Sequence, residues 1–248
     1  MAGLLAAFQF LTLAPIKRGF DSREIGQATA FFPLVGLVIG GCLLGLNYLL
    51  GLVLPASLVR VFVLAALVVL SGGLHLDGLA DTFDGMAGHR TSEQRLQIMR
   101  DSRIGGFGAM ALALFLLIEY LALAALPAEH FPFALLAAPV ISRWAMVDAI
   151  LAHPYARADG LGTPFKNHVT WLQFWIATLI TLAVAVGFFR IAGLVAMAFA
   201  WLVFTLAAQY FRSQLKGLTG DTYGAINEIA FIASLVALNA LSFKGWWL

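Results

Sequence analysis

Charge is what this sequence has least of. Only 11% of its 248 residues are Asp, Glu, Lys or Arg, against about 25% in soluble domains. With 61% hydrophobic residues and a mean hydropathy of +0.91, there is too little polar side chain to clothe a water-soluble globule. A disordered chain is excluded on the same ground. Lysine and arginine exceed the acids by only two, too small a surplus to point to nucleic acid. The one cysteine, Cys42, stands in an apolar run. That excludes an internal disulfide and a cysteine metal site, and its thiol reads as a small packing residue.

Long apolar runs are what the sequence has instead. A bilayer core about 30 Å thick takes about 20 apolar residues as helix. Stretches with little or no charge lie near 31–54, 61–76, 104–126, 132–152, 170–188, 191–210 and 225–243. They are continuous rather than alternating, which excludes a β-barrel. The expected fold is an all-α, polytopic integral membrane helical bundle of about seven transmembrane helices, one domain over 1–248. Met1 to Ile16 lacks the basic start of a signal peptide and reads as a retained helix in the membrane interface. The Gly36/Gly40 and Gly41/Gly45 spacings read as close helix packing.

Lysine and arginine placement gives an orientation. With Lys17, Arg18 and Arg23 in the cytosol, seven spans put eleven basic residues on that side and leave Arg60, Arg190 and Lys244 on the other. Every polar loop of any length then faces the cytosol.

The chemistry concentrates in residues 75–103, HLDGLADTFDGMAGHRTSEQRLQIMRDSR, where nine of 29 residues are charged. Asp77, Asp81 and Asp84, four and three apart, share one helical face. Like charges that close repel, so the face calls for a cation. Oxygen ligands at this spacing suit Mg²⁺, held by one or two carboxylates plus substrate phosphates; zinc is disfavoured because histidine is sparse here and cysteine absent. The bland alternative is a solvated acidic face paired with nearby arginines. Downstream, Thr91 and Gln94 form a capping box for a short helix. Arg100 and Arg103 are expected on one face of that helix, with Asp101 turned away and Gly105-Gly106 ending it. Two guanidinium groups one turn apart match diphosphate oxygens.

Other polar positions are sparser. Tyr155 and Arg157, in a Gly/Pro-rich loop running to Gly160-Leu-Gly162, are candidates to contact an aromatic or phosphate group. Asp221 is either an N-cap or a further carboxylate at the site, and Glu228 lies near the same face. Arg143 sits at mid-membrane depth, where a charge is a functional candidate by default; Asp148 is a poor intrahelical partner for it. Glu119 is expected toward the far side of the bilayer, a structural or interfacial charge distant from the site.

At these residues the sequence closely resembles the cobalamin synthase family, the adenosylcobinamide-GDP ribazoletransferases. The matches are Phe32-Pro-Leu-Val-Gly36, Gly72-Gly-Leu-His-Leu-Asp-Gly-Leu-Ala-Asp81 with Asp84-Gly85, Met99-Arg-Asp-Ser-Arg103, Ser142-Arg143, Tyr155-Ala-Arg157 with Gly160-Leu-Gly162, and Thr219-Gly-Asp-Thr222 with Gly224 and Glu228. They run in family order over nearly the whole chain. One departure is Leu13, where a basic residue is expected. The resemblance implies that a ribose hydroxyl of α-ribazole, or of its 5′-phosphate, attacks the cobinamide-linked phosphorus of adenosylcobinamide-GDP and GMP leaves. It further implies a bacterial inner-membrane enzyme with a cytosolic site. On this reading Asp77, Asp81 and Asp84 hold Mg²⁺, while Arg100 and Arg103 clamp the diphosphate. Arg143, Tyr155, Arg157 and Glu228 bind substrate, and Asp101, Asp221 or His75 orients or deprotonates the hydroxyl. The partners are these small molecules and the lipid bilayer, with no nucleic acid; homo-oligomerisation stays open.

Two competitors are weaker. A CDP-alcohol phosphotransferase would need D-x2-D-G-x2-A-R; Asp81-x2-Asp84-Gly85 begins it, but Ala87 and Arg90 are out of register. A transporter would string ionisable residues across its spans, whereas here they gather at one membrane face.

Overall fold

The computed structural model describes residues 1–246. Their regular elements are helices: α1 (Ala2–Leu11), α2 (Ser22–Ala28), α3 (Phe32–Gly51), α4 (Ala56–Leu70), α5 (Leu74–Met86), α6 (Ser92–Ile98), α7 (Gly106–Ala125), α8 (Phe131–Ala152), α9 (Thr163–His168), α10 (Trp171–Leu215) and α11 (Gly220–Phe243). A 3₁₀ turn, Thr29–Phe31, leads into α3. The chain is an all-α, multi-pass membrane bundle.

Five helices are long and apolar enough to cross a bilayer, or six when α4 and α5, bent by 84°, are taken as one broken span. The expected number was about seven. The difference lies at Arg190, where two expected spans fall inside α10. Non-helical torsions there (φ 49°, ψ −123°) break the helix, and a Cβ on Gly193 would overlap the Ala185 carbonyl. Residues eight apart in a straight helix are about 12 Å apart, so the chain doubles back at Arg190 and the two halves of α10 touch.

Helix α8 is the central post, buried along most of its length. It packs on α3 through Gly36 and Gly40, whose missing Cβ atoms leave room for the Pro139 and Leu135 carbonyls. Pro139 has no N–H to give the Leu135 carbonyl, so that oxygen lies open to Gly40. Gly41 and Gly45 have nothing around them. The packing reading therefore holds for one glycine pair and not the other. Cys42, beside Gly41, is exposed rather than packed, because it lies off the buried stripe of Gly36, Ile39, Gly40 and Leu43.

The 84° bend is made by Gly72 and Gly73, both left-handed (φ 63° and 69°), a conformation open to glycine at no steric cost. It ends the crossing at Leu70 and sends α5 across the first turns of α7 and α11. There Gly78 lies against the Asp221 backbone and Gly224 against that of His75. Helix α1, only ten residues long, spans nothing. It rests on α2, with Gly3 against Gln27, and the following segment ties to the bend through the Leu13 N–H, which donates to the Leu70 carbonyl at 3.3 Å.

Candidate active site

Asp77, Asp81 and Asp84 all lie on α5, as their spacing required. Their surroundings differ. Both oxygens of Asp84 accept backbone N–H groups, from Gly105 at 2.7 Å and Gly108 at 2.8 Å, so Asp84 caps the start of α7. Gly105-Gly106, expected to end the preceding helix, instead open α7: Gly105 is extended (φ −90°, ψ 174°) and presents its N–H to a carboxylate, a favourable pairing at a helix N-terminus.

Asp77 lines a cavity of about 150 Å³ together with His75, Tyr155, Arg157 and Asp221. Asp221 was a candidate N-cap; that position belongs to Thr219, and Asp221 falls in the first turn of α11. It forms an ion pair with Arg157 at 2.9 Å. The pair is held by a short parallel bridge between Tyr155 and Leu218. Here the Ala156 N–H donates to the Leu218 carbonyl and the Leu218 N–H to the Pro154 carbonyl, both at 2.8 Å. Arg157 is mostly buried and its Nε has no hydrogen-bond partner, leaving a donor free.

The nearby arginines do not neutralise the acidic face. Arg95 donates to the carbonyls of Gly85, Met86 and Gly88, and Arg90 to those of Asp84 and Ala87; both satisfy the C-terminal end of α5. Arg157 is the guanidinium that opposes the charge around Asp81 and pairs with Asp221. The Asp81 carboxyl is consequently pushed up to about 7, by burial first and then by Asp221, Asp77 and Asp84, with Arg157 opposing. Among the described residues no three His, Cys, Asp or Glu side chains converge closely enough to hold a metal by themselves. Two carboxylates and an excess of negative charge nonetheless fit Mg²⁺, which takes its remaining ligands from water and substrate phosphates.

Arg100 and Arg103 are not on one helix face. α6 stops at Ile98, and both arginines lie in the exposed connection to α7. Asp101 is not turned away: Arg103 donates to it from Nε at 3.0 Å and Nη2 at 2.7 Å. That partner holds the Asp101 carboxyl down at about 2, which makes it a weak proton acceptor. Asp101, Arg103 and Asp84 line a second cavity, about 460 Å³, at the C-terminal end of α5. The capping box is as expected, with Thr91 and Gln94 bonded reciprocally.

Deeper in the bundle, Arg143, Glu228, Asn227 and Glu119 surround a cavity of about 10 Å³, room for one water. Arg143 Nη2 is 3.5 Å from His75 Nδ1, and Glu228 lies 3.8 Å from the same nitrogen. His75 therefore joins this buried cluster to the 150 Å³ cavity. The expectation for Glu119 fails: it is buried and hydrogen-bonds to Glu228, neither interfacial nor remote. The sequence signal was present, since a lone acid in a twenty-residue apolar helix is a functional candidate. Asn227 was missed for want of a partner visible in sequence.

Residues 3–239 match the family model described as cobalamin-5-phosphate synthase. The chain belongs to the cobalamin-5-phosphate synthase family. Relatives named adenosylcobinamide-GDP ribazoletransferase include those of Roseiflexus sp. (41% identity, 94% of this chain and 87% of the relative) and Geotalea daltonii (37%, 95% and 96%). That of Pseudomonas syringae pv. syringae is 41% identical, over 95% of this chain and 98% of its own. No solved structure matches.

Proposed function

We propose that this protein joins α-ribazole, or its 5′-phosphate, to adenosylcobinamide-GDP with release of GMP, the last step of adenosylcobalamin assembly. The ribose hydroxyl oxygen forms a bond to the cobinamide-linked phosphorus, the P–O bond to GMP breaks, and the hydroxyl proton leaves. The observation that carries the reading is the acidic face of α5 beside the Arg157–Asp221 ion pair, in a chain that matches the family along almost its whole length.

Asp77 and Asp81 are the residues that would hold Mg²⁺, and the ion supplies charge neutralisation for diphosphate oxygens. The protein's own groups do the rest. Arg157, with Nε unspent, binds a phosphate oxygen. Asp221, in the same cavity as Asp77, orients the hydroxyl and takes its proton; Asp101, held by Arg103, is the poorer choice. Asp84 supports the site by fixing α7. The basic-residue asymmetry supports a cytosolic site, in a protein of the bacterial inner membrane.

The test is GMP release from adenosylcobinamide-GDP by membranes containing the protein, with α-ribazole and Mg²⁺. Release that needs both additions is expected. No release would end the assignment.

A further inference from the structure

A cleft of about 470 Å³ opens between α1, the segment after it and the loop that leads into α9, lined by Gln9, Phe10, Arg18, Phe20, Leu161 and Phe165 among others. Its floor is aromatic: Phe10 and Phe165 have ring centroids 4.5 Å apart, and Phe32 lies 5.6 Å from Phe165. One edge is the Arg18 guanidinium, 5.1 Å over the Phe20 ring and held by Glu24 at 3.0 Å. Phe10 and Leu161 also line the 150 Å³ cavity that contains Asp77, Arg157 and Asp221. Cleft and acidic cavity thus share a wall.

We propose that this cleft is the subsite for the flat, aromatic base of the ribazole substrate, stacked beside Phe10 with its ribose directed past Leu161 toward Asp221. The proposal rests on the reaction proposed above, and three observations carry it. First, the base of the attacking nucleoside is one sugar away from the reacting hydroxyl, so its subsite must adjoin the phosphate-binding cavity, and this cleft does. Second, the volume lies in the range of small-molecule pockets, about 300–1,000 Å³. Third, among the described residues the polar side chains lining it are Gln9 and Arg18. Guanine, with donors and acceptors around its edge, would leave most of them unpaired, at a cost for each. A corrin ring with its amide arms would do the same. The ribazole base, with one free ring nitrogen as its only polar edge atom, has far less to leave unpaired there and gains from stacking on aromatic rings.

The test uses the full chain in detergent. Gly19 lines the cleft, a Cβ there would meet nothing within 4 Å, and the residue needs no left-handed torsion; Gly19→Trp therefore adds an indole at the cleft wall without straining the fold. Gln9→Asp places a charge on the exposed wall of the cleft, away from the acidic cavity. Gly41→Trp, on an open face of α3, is the control. Expected are a rise of about tenfold or more in the Kd for α-ribazole alone, by equilibrium dialysis, and in its KM, in both cleft variants. The KM for adenosylcobinamide-GDP should stay within about twofold, and Gly41→Trp should match wild type. An α-ribazole Kd the same in all four proteins overturns the subsite, whether the cleft then proves empty or filled by an acyl chain. So does an equal rise in both KM values. If wild type binds α-ribazole and the cleft variants do not, yet no GMP is released, the subsite stands and the reaction fails.

Discussion

Asp84 and Asp81 are three residues apart, chemically identical, and differently employed. Asp84 spends both oxygens on α7, whereas Asp81 is pressed by three like charges. Asp84→Asn should therefore cost about 2 kcal/mol of stability, the worth of a charge-assisted hydrogen bond. Asp81→Asn should leave stability level or higher and abolish GMP release. Thermal unfolding and turnover of the two variants check this; equal loss of stability in both would refute the division. The acidity of Asp81 adds a second expectation. Its folded pKa, about 7, is above the unfolded value near 3.9, so the folded state holds the proton more tightly. That contribution is fully present below about pH 4 and is lost as pH rises through 7. With a chelator present, Tm should fall from pH 5 to pH 8 more steeply in wild type than in Asp81→Asn. Saturating Mg²⁺ should flatten the difference.

Among the elements, the α3–α8 seam is the cleanest case. Gly40 lies against the Leu135 carbonyl freed by Pro139, and Gly41, its neighbour, against nothing. Gly40→Leu must push the helices apart, an overpacking cost of about 1–3 kcal/mol, while Gly41→Leu should be tolerated. Comparing the unfolding of the two proteins tests it. Sequence spacing alone offered both glycine pairs equally, because hydropathy does not say which stripe faces protein and which faces lipid. For similar reasons the ends of α7 and α8 were legible to within two residues, whereas the end of α4 was not. Leu74 and Leu76 continue the apolar run past Gly72 and Gly73, and only the left-handed torsions reveal the turn.

At the scale of the whole molecule, Glu119 of α7, Arg143 of α8 and Glu228 of α11 meet around one small cavity, with His75 of α5 against Arg143. Four helices converge on one buried charge. Arg143→Leu leaves two carboxyl groups without their cation and should destabilise by about 3–5 kcal/mol; Glu119→Gln, which keeps a donor toward Glu228, should fold and turn over nearly normally. Denaturation and GMP release read both; a collapse of Glu119→Gln would show that its charge, and not its hydrogen bond, is required. The acidic face of α5 was plain in the sequence, since a periodicity of four and three needs no tertiary information. The meeting of Arg157 with Asp221, 64 positions later, was not. It depends on a loop and a helix start brought side by side by two backbone bonds.

That clasp limits which anions enter. Arg157 is already engaged by a carboxylate through Nη2, so an incoming anion first meets only the unpartnered Nε and gains the rest of the guanidinium when Asp221 gives way. A singly charged visitor offers no more than the resident does. A pyrophosphate, bringing several charges at once, can displace the resident and in the same motion release Asp221 for the hydroxyl beside it.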